Sequence, residues 1–65
     1  MPPEKAGELN YFLTYHIVKY MGASPDYAKY NEVMGVLECI KQELYRRKIA
    51  PYEHQKMVEN GDVYE

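Results

Sequence analysis

The residues best suited to chemistry in this sequence are its two arginines, which follow a tyrosine in the tripeptide Tyr45-Arg46-Arg47. Arginine makes bidentate contacts with phosphate oxygens and stacks on flat rings, and tyrosine stacks on nucleobases. The tripeptide is therefore the strongest candidate for phosphate recognition. The alternative is structural, because cations at a helix C-terminus compensate its dipole and could pair with Glu43 or Glu53.

Several amide and carboxylate side chains could read the hydrogen-bonding edge of a nucleobase. Amides donate and accept hydrogen bonds, and carboxylates accept them. The candidates are Asn10, Asn31, Glu38 and Gln42, with Tyr11, Tyr15 and Tyr27 able to stack on the face of the base. A solvated polar surface is the alternative. Ordinary charges are scarce, however, on the face of the predicted second helix that contains Asn31, Glu38 and Gln42.

Catalytic and metal-binding patterns are missing from the sequence. Cys39 lacks the His and Asn or Asp neighbours that activate a cysteine nucleophile, so we expect a buried apolar role for it. The two histidines have no metal-site spacing, and no Walker loop, Rossmann glycine pattern, HExxH or CxxC motif occurs. We therefore expect a protein that is not an enzyme and holds no metal or cofactor.

Length and composition favour a small protein that works as an oligomer. A 65-residue domain buries only about 60% of its unfolded surface, and one cysteine cannot form an internal disulfide. Eight tyrosines against one phenylalanine suggest half-buried interfaces, because each buried phenol needs a hydrogen-bond partner. The net charge of −2, without a basic stripe, argues against binding to duplex nucleic acid. Without an apolar span or a signal peptide, we expect a soluble, cytoplasmic protein that does not enter membranes.

The pattern along the chain predicts a single all-α domain over residues 1–65. Gly22 suits the end of a first helix, and Ser24 as N-cap with Pro25 and Asp26 suits the start of a second. Pro51 should end the second helix, leaving Arg46 and Arg47 near its C-terminus. The predicted segments are an arm (1–4), three helices (5–21, 24–48 and 51–59) and a tail (60–65), closed by the turn-forming pair Asn60-Gly61. We expect an antiparallel helical hairpin with a short third C-terminal helix, assembled as a homo-oligomeric bundle.

The second helix has two organised faces where a small monomer needs one. At about 100° per residue, apolar side chains gather on one face: Tyr30, Val33, Val36, Leu37, Ile40 and Leu44. The opposite face contains Tyr27, Asn31, Gly35, Glu38, Gln42 and Tyr45. Glycine within a helix costs roughly 0.5–1 kcal/mol relative to alanine, so Gly35 indicates close helix packing or the approach of a ligand. We expect an oligomer interface at Tyr27, Gly35 and Gln42, with Tyr64 anchoring the tail on a neighbouring subunit.

Five strings in the sequence resemble a family of short phage and bacterial proteins known mainly as a domain of unknown function. They are GELNY at 7–11, NEVMGVLEC at 31–39, ELYRR at 43–47, APYE at 50–53 and NGDVY at 60–64. The chain also resembles the phage anti-CBASS sponges, which sequester cyclic dinucleotide signals without cleaving them. That resemblance implies a homotetramer in the host cytoplasm, with ligands such as 3′,3′-cGAMP at subunit interfaces.

Two functions are compatible with these observations. The first is sequestration of a cyclic dinucleotide by a dimer or tetramer, with Asn10, Tyr11, Asn31, Glu38, Tyr45, Arg46 and Arg47 as the ligand-binding residues. A compact dianion needs only one or two arginines per subunit, which suits an acidic protein. The second is a small protein–protein interaction or structural module, in which the same tyrosines are interface anchors and no nucleotide binds.

Overall fold

The computed structural model describes residues 2–64, and all regular structure in this range is helical. Helix α1 spans Ala6–Met21 and helix α2 spans Tyr27–Leu44. A π-helical turn at Tyr45–Ile49 leads directly into α3, Ala50–Asn60. The predicted all-α class is confirmed. Met1 and Glu65, the outermost residues of the predicted arm and tail, lie outside the described residues.

The chain divides into two compact units, Met1–Met34 and Gly35–Glu65, with the boundary inside α2. In the first unit, Val33 is 8% exposed and is the one buried side chain of residues 2–64, while Ile17 and Met21 are half-buried. The second unit contains no fully buried side chain in its described part, and Leu37 and Ala50 are half-buried. Neither unit therefore has a hydrophobic core of ordinary size.

Local hydrogen bonds explain where α1 begins and ends. The Glu8 carboxylate accepts hydrogen bonds from the backbone N–H groups of Lys5, at 3.0 Å, and Glu4, at 3.3 Å, which satisfies donors that a helix start leaves unpaired. At the other end Gly22 has φ 84°, and its N–H bonds to the Val18 carbonyl at 3.2 Å. A side chain at this φ would be strained, so the predicted glycine stop is confirmed.

The N-cap of α2 lies two residues after the predicted one. Asp26, rather than Ser24, is the N-cap: its Oδ1 accepts the Lys29 N–H at 2.9 Å, and its carbonyl accepts the Tyr30 N–H at 3.1 Å. Both Ser24 and Asp26 are good N-cap residues, but a carboxylate adds a favourable interaction with the positive end of the helix dipole. Pro25 consequently precedes the helix instead of opening it.

A small cluster of side chains joins α1 to the first turns of α2 within the first unit. The Tyr20 hydroxyl donates a hydrogen bond to the Glu32 carboxylate, and the Lys29 ammonium lies 4.6 Å from the centre of the Tyr20 ring. Lys29 and Glu32 also form an ion pair at 3.8 Å. These contacts lie beside the turn between the two helices. The remaining packing of the expected hairpin stays a prediction.

The expected break at Pro51 is wrong, because helical backbone continues from α2 through Pro51 to Asn60. In an α-helix the proline ring clashes with the carbonyl four residues earlier. Here the preceding turn is π-helical, and the Ala50 N–H bonds to the Tyr45 carbonyl five residues back. Pro51 then occupies the first turn of α3, where its missing N–H is tolerated. The second and third predicted helices are therefore one long, bent helix.

Continuity through Pro51 also changes the role of the basic residues. Arg46, Arg47 and Lys48 lie in the π turn, not at a helix C-terminus, so the expected compensation of a helix dipole is wrong. The actual C-terminus is at Gly61, which has φ 86° and donates its N–H to the Met57 carbonyl at 2.8 Å. The predicted Asn60-Gly61 stop is confirmed.

We predict that Asp26→Ala lowers the free energy of unfolding by about 0.5–2 kcal/mol, the usual cost of losing an N-cap. Ser24→Ala is the matched control and should change it little, because the Ser24 hydroxyl does not cap α2. Urea unfolding followed by circular dichroism measures both. If Ser24→Ala lowers the free energy of unfolding by as much or more, Ser24 and not Asp26 is the N-cap of α2.

Candidate functional site

The two arginines share one internal counter-ion. Glu43 Oε2 lies 3.5 Å from Arg46 Nη2, and its Oε1 lies 3.0 Å from Arg47 Nη1. Both arginine side chains are 71% exposed, so they remain accessible from solvent. The Glu43 pairing considered from the sequence is present, with two cations on one carboxylate. Two guanidinium groups that converge on two carboxylate oxygens can also hold two oxygens of a phosphate.

Tyr45 is linked to α3 across the π turn. Its hydroxyl donates a hydrogen bond to Glu53 Oε1 at 2.7 Å. This hydrogen bond, together with the negative charge of Glu53, raises the pKa of Tyr45 above its usual value, because ionising the phenol would place two negative charges side by side. Glu53 thus pairs with Tyr45, whereas the sequence suggested an arginine partner. The Tyr45 side chain is half exposed and can still offer a ring face.

The π turn positions this cluster. Glu43 lies at the end of α2, Tyr45, Arg46 and Arg47 lie in the turn, and Glu53 lies in the first turn of α3. Short π-helical segments inside α-helices occur frequently at functional sites. Helical spacing does not predict such a turn, because it assumes one constant period.

Gln42 and Glu38, two of the side chains predicted to recognise a nucleobase, form a hydrogen bond with each other. Gln42 Nε2 donates to Glu38 Oε1 at 3.1 Å, and Lys41 lies 3.8 Å from the other Glu38 oxygen. On α1, Asn10 Oδ1 accepts the Thr14 hydroxyl at 3.2 Å. Each pair is exposed and one helical turn apart, which is the common arrangement on a solvated helix surface. Asn31 is exposed on α2.

Tyr11 lies at an open hollow on the first unit. The hollow has a volume of about 590 Å³ and is lined by Pro2, Pro3, Gly7, Glu8, Tyr11, Phe12, Tyr15 and His16. His16 lies 4.6 Å from the Phe12 ring and 5.4 Å from the Tyr15 ring, centre to centre. The sequence pointed to Tyr11 and Tyr15 as stacking residues and to an arm at 1–4, but not to a hollow that the two prolines line together with these tyrosines. The spacing of Phe12 and His16, one helical turn apart, was the available signal for their contact.

The residues expected at an oligomer interface are all exposed in the single chain. Tyr27 is 80% exposed and Tyr64 is 94% exposed. Among residues 2–64, a Cβ added at Gly35 would meet no atom within 4 Å apart from its chain neighbours and the backbone of its own helix. The tail is shaped by Asp62, whose Oδ1 accepts the Tyr64 N–H at 2.9 Å. No close approach within the described residues therefore requires a glycine at this position.

Cys39 differs from expectation because it is exposed. It lines an open hollow of about 450 Å³ on the second unit, together with Ile40, Glu43, Leu44, Arg47 and Lys48. The expected burial of Cys39 is wrong, because no other part of residues 2–64 covers this side of the helix. Arg47 therefore belongs both to the Glu43 pair and to the edge of this hollow.

Residues 2–64 contain neither a cluster of metal ligands nor a membrane-spanning helix. No three His, Cys, Asp or Glu side chains of this range gather closely enough to hold a metal ion. None of the helices in the same range is long and apolar enough to span a bilayer.

Comparison with known proteins gives one match. No curated protein and no solved structure matches the chain significantly. Residues 1–63 match the sequence model of a family, which is nearly the whole chain. The protein therefore belongs to the family described as a domain of unknown function (DUF6899).

Proposed function

We propose that the protein is a non-enzymatic binding protein that assembles as a dimer or tetramer and sequesters a cyclic dinucleotide, such as 3′,3′-cGAMP, between subunits. In this proposal the hairpins form a homo-oligomeric bundle in the host cytoplasm, and sequestration counters a nucleotide-based defence against phage. The observation that carries the assembly is the exposure of nearly every large apolar side chain. Tyr11, Met34, Val36 and Val58, from all three helices, are each more than half exposed.

Each unit by itself exposes apolar side chains. Phe12 and Val18 in the first unit are 46% and 52% exposed, and Val36 and Val58 in the second are 53% and 74% exposed. Burial of such side chains against a second copy would supply the missing core.

The ligand assignment is supported by the chemistry of the π turn. Arg46 and Arg47 are exposed, adjacent and already converge on one two-oxygen anion, the Glu43 carboxylate. A cyclic dinucleotide has two phosphates and two flat bases, so it needs a few cations and several aromatic rings. Tyr11 and Tyr45 are exposed rings that could stack on the bases. The resemblance to cyclic dinucleotide sponges supports the same class of ligand.

One observation favours the second candidate, an interaction module without a nucleotide. Glu43 neutralises part of the charge of the two arginines, and Glu53 accepts the hydrogen bond of the Tyr45 hydroxyl. In that function the exposed aromatic residues bind another protein, and the ion pairs only shape the surface. The two candidates share the exposed apolar surface and differ in whether a small anion binds.

We predict that Gly35→Leu breaks the assembly. In the isolated chain there is open space at Gly35, so leucine should stabilise the helix by roughly 0.5–1 kcal/mol. In an oligomer packed closely at Gly35, the new side chain clashes with a neighbouring subunit. Size-exclusion chromatography with light scattering should therefore show a lower mass than for the parent protein.

Lys41→Leu is the control for this substitution. Lys41 is on the same helix with a side chain 78% exposed, and the change introduces the same leucine away from the glycine. This variant should keep the parent mass. If Gly35→Leu also keeps the parent mass and becomes more stable, Gly35 faces solvent in the assembled protein.

We predict that a cyclic dinucleotide raises the melting temperature in a panel of cyclic mono-, di- and trinucleotides. A ligand at 100 times its dissociation constant stabilises the folded state by about 2.7 kcal/mol. Calorimetry should then show that Arg46→Ala weakens binding at least tenfold, since a hydrogen bond to a charged group contributes about 1.5–3 kcal/mol. The salt dependence should also become weaker, whereas Tyr45→Ala should reduce affinity without changing the salt slope.

Lys56→Ala is a suitable control for the arginine variant. Lys56 is an exposed cation on α3, paired with Glu59 at 3.4 Å and remote from Arg46 in sequence. Its removal should leave the affinity unchanged. If no cyclic nucleotide shifts the melting temperature while the protein remains oligomeric, the interaction module becomes the better assignment.

A further inference from the structure

One hollow on the second unit combines an apolar surface with a cationic edge. Cys39, Ile40 and Leu44 form the apolar part, and Glu43, Arg47 and Lys48 form the charged part. These residues form two neighbouring rows with a spacing of four along α2 and the π turn, so they share one side of the helix. The volume of about 450 Å³ lies within the range of small-molecule sites, about 300–1,000 Å³.

The charge at this edge is positive in a protein that is negative as a whole. Arg47 and Lys48 contribute two positive charges, and Glu43 contributes one negative charge, against a net charge of −2 for the chain. Glu43 bonds to Arg47 at 3.0 Å. No carboxylate of residues 2–64 lies within 4.0 Å of the Lys48 ammonium. The edge therefore favours an anion.

The apolar part of the hollow favours a ligand that has a flat apolar group as well as a negative charge. Ile40 is 57% exposed and Leu44 is 54% exposed, which leaves both side chains in contact with water. A flat apolar group placed on them would remove this surface from water, which is favourable. Inorganic phosphate has no such group. A nucleotide, in which ribose joins a base to a phosphate, can use both the charged edge and the apolar part.

We infer that this hollow binds one nucleobase and its phosphate, the base on Ile40 and Leu44 and the phosphate on Arg47 and Lys48. The inference deepens the proposed function and rests on it. The inference adds Lys48, Ile40 and Leu44 to the candidate ligand-binding residues. The sequence analysis had placed Ile40 and Leu44 on the apolar face of the second helix. Each half of a cyclic dinucleotide offers one such base and phosphate.

Glu43 then acts as a counter-ion that the ligand displaces. Its carboxylate occupies the Arg47 guanidinium in the free chain and competes with the incoming phosphate. Glu43→Gln removes the negative charge but keeps the size of the side chain. This variant should bind 3′,3′-cGAMP several-fold more tightly than the parent. An ion pair that only shapes the surface would leave the affinity unchanged or lower it.

Cys39 provides a direct measurement of occupancy, because it is the single cysteine, it is exposed and it lines the hollow. The experiment measures the rate at which neutral N-ethylmaleimide alkylates Cys39, with and without 3′,3′-cGAMP, at several protein concentrations. At a ligand concentration ten times the dissociation constant, alkylation should be about tenfold slower. Arg47→Ala should raise the dissociation constant at least tenfold, so that the same ligand concentration slows alkylation no more than about twofold.

Lys41→Ala is the matched control, since Lys41 is an exposed cation on the same helix that pairs with Glu38 outside the hollow. It should keep both affinity and protection, and circular dichroism should confirm that all variants are folded. If calorimetry shows binding but Cys39 reacts at its ligand-free rate, the ligand lies elsewhere: this inference is overturned and the proposed function stands. If Cys39 is protected by increasing protein concentration and not by any cyclic dinucleotide that binds, a second copy covers the hollow and this inference is overturned. If neither 3′,3′-cGAMP nor any other cyclic dinucleotide of the panel binds, the inference and the proposed function are both overturned.

Discussion

The burial of apolar surface is the constraint on which the rest of this structure depends. Val33 is the one buried side chain of residues 2–64, which is far less than a folded domain of about 60 residues ordinarily encloses. Helical hydrogen bonds satisfy the backbone, but short helices in water are only marginally stable without a packed apolar face. The Tyr20–Glu32 hydrogen bond and the exposed ion pairs add little, since surface pairs contribute about 0–1 kcal/mol each. The exposed aromatic and aliphatic side chains are therefore best explained as contact surface.

The π turn is the second feature that determines what the protein can do. It allows the helix to continue through Pro51 and places Arg46 and Arg47 on a shared carboxylate, Glu43. At a helix terminus, part of their charge would compensate the dipole. In the middle of a helix they have no such role, and Glu43 balances only one of the two charges. The edge next to Ile40 and Leu44 therefore has a net positive charge. Such an edge suits a small anion that also has a flat apolar group.

Sequence reasoning succeeded where a single residue determines the local backbone. Gly22 and Gly61 both have positive φ, as their positions at helix ends predicted. It was less accurate where neighbouring residues compete for one role, as when Asp26 and not Ser24 caps α2. It failed at Pro51, because the period of 3.6 cannot reveal a π turn that accommodates the ring. The positions of Asn10, Tyr11, Asn31 and Glu38 on exposed helix faces followed from spacing, but their role depends on a partner and stays a prediction.

Sedimentation equilibrium of the unmodified protein, from low to high micromolar concentration, tests the central claim most directly. The chain mass is 7.7 kDa, so a dimer or tetramer gives two or four times that value, and stability against urea should rise with protein concentration. We expect a single assembled species over most of the range. A single species of 7.7 kDa at every concentration, with a cooperative unfolding transition that does not depend on concentration, would contradict the account. The exposed apolar side chains would then have to be buried within one chain.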